Sequence, residues 1–434
     1  MNREQINSQG HLLVGGVDTV QLANQYGTPL YVYDVERIRQ NAQSFVETFK
    51  KLGVQAQVAY ASKAFSSIAM LQVAKEEGLS LDVVSRGELY TAIQAEFPTE
   101  RIHLHGNNKN IEELEMAIEN DIGCIVIDNF WEIDLLNGLL EEHGKEMDVL
   151  LRVTPGIEAH THDYILTGQE DSKFGFDLWN GQAEKALTQL MGLDRIHIKG
   201  LHCHIGSQIF ETHGFVMAVR KLFEALNNWK SKHGFIPEVL NLGGGFGIQY
   251  TDEDEPLPRS TYVEELVNEV KRQVEDMQID MPEVWIEPGR AIVGDAGLTL
   301  YTIGSIKDIP NVRTYVSVDG GMTDNLRPAL YHARYAAAVA NKMNAPREQV
   351  VSIAGKCCES GDMLIWDVEL PYVESGDILA TFSTGAYGYA MSNHYNRFPK
   401  AAVVFVENGE HQLVIKRESY EDITRFDLPY ERPY

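Results

Sequence analysis

Residues 55–77 have the sequence QAQVAYASKAFSSIAMLQVAKEE, in which a short β-prone run, 55–61, is followed at once by apolar residues at helical spacing, 66–77. The same order of strand and then helix repeats as far as about residue 290. We predict strands at 55–61, 81–85, 102–105, 124–128, 149–153, 198–204, 239–242 and 284–287, and between them helices that include 66–77, 87–95, 111–119, 130–142, 215–232 and 262–276. Eight strand–helix units over about 240 residues predict a (β/α)8 TIM-type barrel, with an open, doubly wound α/β sheet as the alternative.

Beyond residue 290 the pattern changes to short strands separated by glycine-rich turns. The predicted strands are 298–306, 314–318, 349–354, 378–382, 402–406 and 411–416. Few long helical windows separate them, so we predict a second, all-β domain of the barrel or sandwich type. Residues 28–34, TPLYVYD, give another strand signal near the N-terminus, which the pattern alone assigns to neither domain.

The charge balance of the 434-residue chain is strongly acidic, with 63 Asp and Glu against 37 Lys and Arg and a net charge of −26. Such a surface repels polyanions, which argues against a nucleic acid or a membrane surface as partner. No apolar run approaches the roughly 18 residues that span a bilayer, and MNREQINSQG lacks the apolar core of a signal peptide. The four cysteines fit neither a disulfide framework nor a paired CxxC zinc site, so we expect a cytoplasmic protein.

Lys63 stands just past the first predicted strand, at the mouth where barrel enzymes hold their catalytic groups. Apolar neighbours would disfavour its ammonium form by desolvation, which would let Lys63 act as an amine that binds a carbonyl group covalently. From this segment alone, an ordinary surface lysine is the alternative.

The last two predicted barrel strands are followed by glycine-containing turns, Gly243-Gly244-Gly245 and Glu287-Pro288-Gly289-Arg290. Phosphate sites in such barrels commonly follow these two strands, so we expect the glycine N–H groups to cradle a phosphate, with Arg290 as a charged donor. Beside a pyridine ring, Glu287 would keep the ring nitrogen protonated. A flexible turn and a carboxylate that caps it are the alternatives.

Two histidine pairs end predicted strands, His103 with His105 and His202 with His204, and each pair lies on one face of its strand. Such pairs suit zinc, but the sequence places no third ligand cluster beside either pair, so we expect no metal. We expect one imidazole to face a flat cofactor and the others to pack in the barrel, while Ser207 adds a hydrogen bond to phosphate.

Chemistry-bearing residues also occur in the predicted β-domain. Cys357 and Cys358 are adjacent, which rarely allows a disulfide, and Glu359 follows them directly. A thiol in this setting is either a general acid or a small buried hydrophobe. Other loops supply Arg327, Tyr331 and Tyr387, each of which is weak evidence singly.

Taken together and in this order, five motifs resemble those of the fold type III pyridoxal-phosphate-dependent decarboxylases: YASK at 60–63, HCHIGS at 202–207, LGGG at 242–245, EPGR at 287–290 and CESGD at 358–362. RPALY at 327–331 and the loop 167–175 most resemble the members that act on meso-diaminopimelate. The resemblance covers nearly the whole chain. Arg86, where a small residue is more usual, is a departure that concerns local packing.

The resemblance implies pyridoxal 5′-phosphate as cofactor, a barrel over residues 36–295 that binds it, and a β-domain built from 1–35 and 296–434. It implies decarboxylation of meso-2,6-diaminopimelate at its D-configured carbon to L-lysine and CO2, in a homodimer whose Cys358 loop enters the partner's site. It assigns cofactor contacts to Lys63, His204, Ser207, Gly243, Gly244, Gly245, Glu287, Pro288, Gly289, Arg290 and Tyr387, substrate contacts to Arg290, Arg327, Tyr331, Glu359 and Tyr387, and catalysis to Lys63, His204 and the proton donor Cys358.

Three alternatives remain open. A related decarboxylase would act on ornithine, D-lysine or a carrier-bound amino acid, but the diamine enzymes usually have an aspartate after the thiol, where this chain has Glu359. A fold type III racemase would need a different lysine context and no acid like Cys358. A catalytically inactive homologue should have lost Lys63, Glu287 or Cys358, and all three are present.

Overall fold

The structure, a computed structural model, describes residues 5–157 and 172–432, and the chain divides into two compact units. The barrel unit comprises Arg39–Gln249 and Asp254–Ile292. The β unit comprises Met1–Ile38, Tyr250–Glu253 and Val293–Tyr434. Within the described ranges, we find no helix long and apolar enough to cross a membrane.

Strands alternate with helices in the barrel unit and predominate in the β unit. The strands are β1 (Leu13–Val14), β2 (Val17–Asp18), β3 (Leu30–Asp34), β4 (Ala56–Ala61), β5 (Ser80–Val83), β6 (Ile102–Leu104), β7 (Cys124–Ile127), β8 (Met147–Thr154), β9 (Phe176–Asp177), β10 (Ile196–His202), β11 (Val239–Asn241), β12 (Glu283–Ile286), β13 (Gly297–Ile309), β14 (Arg313–Val318), β15 (Ala337–Val339), β16 (Gln349–Ala354), β17 (Met363–Leu370), β18 (Ile378–Phe382), β19 (Ala402–Glu407) and β20 (Glu410–Ile415). The helices are α1 (Thr19–Tyr26), α2 (Val35–Leu52), α3 (Ile68–Glu76), α4 (Arg86–Gln94), α5 (Ile111–Glu119), α6 (Phe130–His143), α7 (Gln182–Met191), α8 (His213–His233), α9 (Arg259–Met277), α10 (Arg290–Val293), α11 (Arg327–Tyr331) and α12 (Tyr420–Thr424).

The barrel unit is built on a closed parallel sheet. Its strands pair in the order β4, β5, β6, β7, β8, β10, β11 and β12, and β12 pairs back to β4. Closure confirms the predicted (β/α)8 barrel and shows that the open-sheet alternative is wrong. Strands such as β7 are buried at every residue, because a closed sheet covered by helices hides both of its faces from water.

The interior of this barrel is filled by side chains from strands that are not neighbours. Cys124 and Val126 of β7 form one buried cluster with Val239 of β11 and Trp285 of β12. Strands on opposite sides of a closed sheet can share a cluster only through its interior. Such packing contributes about 1.5–3 kcal/mol for each fully buried large side chain, and it holds the strand ends at fixed positions.

The strands end earlier, and the helices are more numerous, than the sequence pattern predicted. The sixth, seventh and eighth strands stop at His202, Asn241 and Ile286, so the polar residues after them lie in loops. Helix α7 was not predicted, although Ala183, Ala186, Leu187 and Leu190 supply a buried face at helical spacing. The predicted strand before it, 149–153, ends almost 30 residues earlier in the sequence.

The β unit contains one large sheet that draws on both ends of the chain. Strands pair in the order β17, β16, β14, β13, β3, β19 and β20, while β18 pairs with β13 and β15. The early strand β3, from TPLYVYD, pairs antiparallel with β13 and parallel with β19. The predicted all-β domain is confirmed, and its core includes the fully buried Leu30, Val32, Leu298, Leu300 and Val404.

Candidate active site

The predicted cofactor residues of the barrel unit all follow the carboxyl ends of barrel strands. Lys63 stands two residues after β4, His204 two after β10, Gly243 two after β11 and Glu287 one after β12. In a closed parallel barrel these ends form one rim, where the active sites of barrel enzymes are found. The structure therefore brings the four predicted positions to the same end of the barrel.

Lys63 itself is exposed, although Ser62 and Ala64 on either side are buried. The expectation that apolar neighbours desolvate this lysine is therefore wrong for the residues described. Its positive charge still acts on its surroundings, because it is one of the groups that lower the pKa of His204. An exposed amine at the rim is accessible to a carbonyl compound.

Glu287 is buried and held by three polar side chains. Asn241 Nδ2 donates a hydrogen bond to Oε1 at 2.6 Å, and His202 Nε2 lies 3.1 Å from Oε2. His105 Nε2 lies 3.1 Å from Oε1. Burial by itself opposes ionisation, but His105 and then His202 outweigh it and hold the pKa of Glu287 well below its ordinary value. Glu287 is thus a buried carboxylate that is ionised at neutral pH.

His105 also lies 3.7 Å from the buried Asp82 Oδ1, so it stands between two carboxylates. Burial alone would lower the pKa of His105, but Asp82 and Glu287 together raise it. For His202 the effect of burial dominates. Burial lowers the pKa of His202 to about 4, although Glu287 acts to raise it. His105 therefore carries the positive charge of this group, and a neutral His202 donates to Glu287.

The expectation that neither histidine pair has a carboxylate nearby is wrong. His105, His202 and Glu287 come from different strand ends and bring one ligand atom each to within 4.8 Å of one another. Such a group could hold a metal ion, but the hydrogen bond between His202 and Glu287 explains their approach without one. These contacts join residues about 85 to 180 positions apart, which is why sequence spacing did not reveal them.

His204 is half-buried and fixed by the glycine turn. Its Nδ1 accepts a hydrogen bond from Gly244 N at 3.2 Å. Burial, and then the charge of Lys63, lowers the pKa of His204 well below its ordinary value, so the ring remains a neutral acceptor. The remaining histidine of the two pairs, His103, stacks on Trp285 with ring centroids 4.3 Å apart.

The glycine turn packs against two strand ends without room for side chains. A Cβ on Gly243, which has φ +69°, would lie 2.5 Å from Cys203 O, and one on Gly244 would lie 2.1 Å from Glu287 O. Two of the three N–H groups expected to cradle phosphate have acceptors within the protein: Gly243 N donates to Asn241 Oδ1 and Gly244 N to His204. Gly245 N has no acceptor among the described residues.

Arg290 and Ser207 are brought together, since Arg290 Nη2 donates to Ser207 Oγ at 3.0 Å. Arg290 begins α10, and Pro288 O accepts a hydrogen bond from Ala61 N. Gly289 also packs against the segment that carries Lys63, because a Cβ on Gly289 would lie 3.0 Å from the Cβ of Ala61. A guanidinium, a hydroxyl and the N–H of Gly245 form a donor set of the kind that binds phosphate.

The barrel rim therefore fits pyridoxal phosphate. It offers an exposed amine for the aldehyde, a buried carboxylate for the ring nitrogen and donors for the phosphate. Asp82 Oδ1 and His202 Nδ1 are also buried without a hydrogen-bond partner among the described residues, as expected where a polar ligand completes the wall.

In the β unit, Arg327, Tyr331 and Tyr387 lie together. The guanidinium carbon of Arg327 is 6.0 Å from the ring centre of Tyr331 and 5.9 Å from that of Tyr387. Two tyrosines that the sequence did not single out complete the group: Arg327 Nη1 donates to Tyr250 OH at 2.9 Å and to Tyr335 OH at 2.8 Å. Arg327 is buried, and these phenol groups raise its pKa against the effect of burial.

Cys358 and Glu359 are exposed on a separate loop of the β unit. Cys358 N donates to Asn396 Oδ1 at 2.7 Å, and the buried carboxylate of Asp362 accepts from Cys357 N at 2.8 Å. Cys357 is the buried thiol of the pair, and burial raises its pKa to about 12. Within the described ranges, no hydrogen bond or ion pair links this loop to Arg327.

Two smaller expectations concern the edges of the site. Residues 167–171 of the loop 167–175 lie outside the described residues, while Gly175 N donates to Asp128 Oδ1 at 2.8 Å. Arg86 is the exposed first residue of α4, so its larger side chain extends from the surface and does not disturb the core.

Comparisons with known proteins agree with this geometry. A sequence model for the pyridoxal-binding domain of pyridoxal-dependent decarboxylases matches residues 35–294. The chain is 64% identical to the diaminopimelate decarboxylase of Bacillus subtilis (strain 168), over 98% of this chain and 97% of that one. It is 66% identical to that of Bacillus methanolicus, over 95% and 96% of the two chains.

Solved structures give the same result. The diaminopimelate decarboxylase of M. jannaschii superposes with a TM-score of 0.92 at 35% identity, covering 98% of each chain. The structure of that enzyme in complex with L-lysine has the same TM-score and identity and covers 99% of this chain and 98% of that one. By its sequence, its closed barrel and its β unit, the chain belongs to the pyridoxal-dependent decarboxylases.

Proposed function

We propose that the chain decarboxylates meso-2,6-diaminopimelate at its D-configured carbon, giving L-lysine and CO2, with pyridoxal 5′-phosphate as cofactor. This reaction is the last step of lysine biosynthesis. The identity of 64–66% to curated diaminopimelate decarboxylases supports the substrate. The observation that carries the chemistry is the buried, ionised Glu287 on the same barrel rim as Lys63.

Each part of the cofactor has residues suited to it. Lys63 would bind the aldehyde, His204 the face of the ring and Glu287 the ring nitrogen. The phosphate would be held by a set of neighbouring donors and packing residues: Ser207, Gly243, Gly244, Gly245, Pro288, Gly289 and Arg290, with Tyr387 as a further cofactor contact. When bound, the protonated ring of pyridoxal phosphate accepts the electron pair left on the substrate carbon as CO2 departs.

The protein's own contribution at the ring nitrogen is a charge that does not titrate near neutral pH. His105 and His202 hold Glu287 ionised, and Asn241 orients its carboxylate. A buried anion at this point favours the protonated ring over the neutral ring. Because these groups are fixed before the substrate binds, little reorganisation is needed during the reaction.

We propose that polar and charged side chains recognise both charged ends of diaminopimelate. Arg290, Arg327, Tyr331, Tyr387 and Glu359 would contact the substrate, and the exposed thiol of Cys358 would return a proton to the reacting carbon. A cation with an anion complements the distal amino-acid group, so lysine and ornithine, which lack the distal carboxylate, should be poor substrates.

We further propose that the chain acts as a cytoplasmic homodimer. Residues 36–295 form its cofactor domain, and residues 1–35 with 296–434 complete the site at the dimer interface. The support is the exposure of Cys358 and Glu359 on a loop that Asn396 and Asp362 hold in place. An exposed catalytic thiol is consistent with a role in the site of a second subunit.

The test is a product assay with purified holoenzyme. Equal release of CO2 and L-lysine from meso-diaminopimelate is expected, with at least a hundredfold lower rates for ornithine and D-lysine. Lys63→Ala should abolish both products. Turnover of ornithine or D-lysine at a rate equal to that of diaminopimelate would favour the related-decarboxylase alternative.

A further inference from the structure

Arg327 is a buried cation without an anionic partner in the part of the chain that the structure describes. Its side chain is 8% exposed, and among the described residues it forms no ion pair. Both of its hydrogen bonds leave from one atom, Nη1, to the hydroxyls of Tyr250 and Tyr335. Within the same residues, Nη2 and Nε have no acceptor.

The two phenol groups satisfy one nitrogen of the guanidinium without neutralising its charge. A carboxylate in their place would cancel the positive charge, whereas a neutral hydroxyl accepts the hydrogen and leaves the charge for a ligand. The fork of Nη2 and Nε is the edge that binds a carboxylate through two parallel hydrogen bonds.

The two tyrosines are themselves rigidly placed. Both are buried, and their rings meet edge to face with centroids 5.2 Å apart. Tyr250 belongs to the short segment Tyr250–Glu253 of the β unit, and an ion pair between Glu253 and Arg334 links this segment to the rest of that unit. Tyr335 follows the left-handed residue His332, which ends α11. Two fixed acceptors on one nitrogen define the plane of the guanidinium.

We infer that Tyr250 and Tyr335 are positioning residues that orient the Arg327 guanidinium toward the distal carboxylate of the substrate and thereby set specificity for it. This inference rests on the proposed function. It assigns a role in recognition to two residues that do not themselves contact the carboxylate. Removing either hydroxyl should allow the Arg327 guanidinium to rotate out of its plane and leave a buried N–H without an acceptor.

The experiment compares Tyr250→Phe, Tyr335→Phe and the double variant with the wild-type holoenzyme. Each single change keeps the ring and removes the hydroxyl, so we expect KM for meso-diaminopimelate to rise about tenfold while kcat stays within about twofold. Tyr372→Phe, which removes the hydroxyl of an exposed tyrosine in the same unit, is the control and should change neither constant.

Two inhibitors separate orientation of Arg327 from general packing. L-Lysine is the proposed product and retains the carboxylate that is distal in diaminopimelate, and cadaverine is the same molecule without that carboxylate. The tyrosine variants should weaken inhibition by L-lysine about tenfold and leave inhibition by cadaverine and the visible absorbance of the cofactor unchanged. If the double variant fails to fold, the single variants carry the test.

Equal weakening of both inhibitors, or an unchanged KM in both single variants, would overturn the inference. Those results would still leave wild-type decarboxylation intact. A wild-type enzyme that releases no CO2 from meso-diaminopimelate would instead contradict the proposed function, so the two failures are distinguishable.

Discussion

At the scale of the residue, the charge of the buried group formed by Asp82, His105 and Glu287 depends on the proton that His105 carries. Asp82 and Glu287 are both buried, and His105 between them carries the compensating charge. His202 is neutral and serves as a donor. Without His105, burial and the repulsion of Asp82 would raise the pKa of Glu287, and the anion that we propose for the ring nitrogen would be lost.

Replacing His105 with Gln should therefore make the cofactor site pH-sensitive. In the wild type the pKa of Glu287 is held well below its usual range, so its charge persists across neutral and mildly acid pH. In His105→Gln the carboxylate protonates as the pH falls, so cofactor affinity should drop at least tenfold between pH 8 and pH 6. The measurement is the dissociation constant of pyridoxal phosphate against pH.

His103→Gln is the matched control, because His103 is a buried barrel histidine whose pKa burial lowers to about 3, so it is already neutral. Its cofactor affinity should follow the wild-type pH profile. A pH-independent affinity in His105→Gln would contradict the role assigned to His105.

Strand order was sufficient to predict that Lys63, His204 and Glu287 lie at the rim, since each follows the end of a strand by one or two residues. It was insufficient for His105 and Asn241, which contact Glu287, and for Asp82, which lies beside His105. Asn241 and Glu287 lie at the ends of the paired strands β11 and β12, whereas closure of the barrel between β12 and β4 brings Asp82 and His105 to Glu287.

At the scale of the element, the glycine turn after β11 joins His204 to the end of β12. Gly244 N donates a hydrogen bond to His204 Nδ1. Gly244 also packs against the main chain of Glu287, since a Cβ on this glycine would lie 2.1 Å from Glu287 O. The turn thus sets the spacing between two groups that would contact the cofactor. Its role as a spacer was not predicted, because the expected function of these N–H groups was to bind phosphate.

Gly244→Ala should disrupt this spacing. The new Cβ would lie 2.1 Å from Glu287 O, so the turn must move away from β12. We expect cofactor affinity to fall at least tenfold and Tm to fall by several degrees, measured by absorbance titration and thermal unfolding. Gly138→Ala, in α6 with open space around it, should instead stabilise the chain by about 0.5–1 kcal/mol. Normal cofactor binding in Gly244→Ala would contradict the role of the turn as a spacer.

At the scale of the whole molecule, two ends of the chain form one sheet, and a buried carboxylate sits within that unit. Burial, with Asp319 and Asp362 nearby, raises the pKa of Asp324 to about 7. The folded state then keeps a proton that the unfolded chain releases near pH 4. The stability contribution of Asp324 is therefore full below about pH 4 and is lost as the pH rises to about 7.

Asp324→Asn should remove this pH dependence, since the amide oxygen still accepts from Gly321 N. At pH 8 the variant should be more stable than the wild type by on the order of 2 kcal/mol, and at pH 4 the two should be equal. Denaturant unfolding across this range measures the difference, with the exposed Asp308→Asn as control. Parallel profiles of unfolding free energy against pH for Asp324→Asn and the wild type would refute this prediction.

The proposed shared site makes a prediction about mixtures of inactive subunits. Lys63→Ala and Cys358→Ala should each be inactive alone. When the two are unfolded and refolded together, about half of the dimers are mixed, and each has one site with both residues intact. We expect about a quarter of wild-type CO2 release, and no recovery would show that both residues act in the same subunit.

The overall architecture could be predicted because the strand–helix repeat and the later run of strands are long and regular. The contribution of TPLYVYD could not be assigned from the pattern alone, because pairing of β3 with β13 and β19 depends on contacts nearly 270 and 370 residues away. Tyr250 is 77 residues from Arg327, so no motif centred on Arg327 includes it.

The most direct test of the whole account is the position at which the cofactor is attached. Holoenzyme is reduced with borohydride, digested and mapped by mass spectrometry. We predict one pyridoxyl-modified peptide, with the modification on Lys63 and none in Lys63→Ala. Modification of a different lysine, or no modification in a protein that releases CO2 from meso-diaminopimelate, would contradict it.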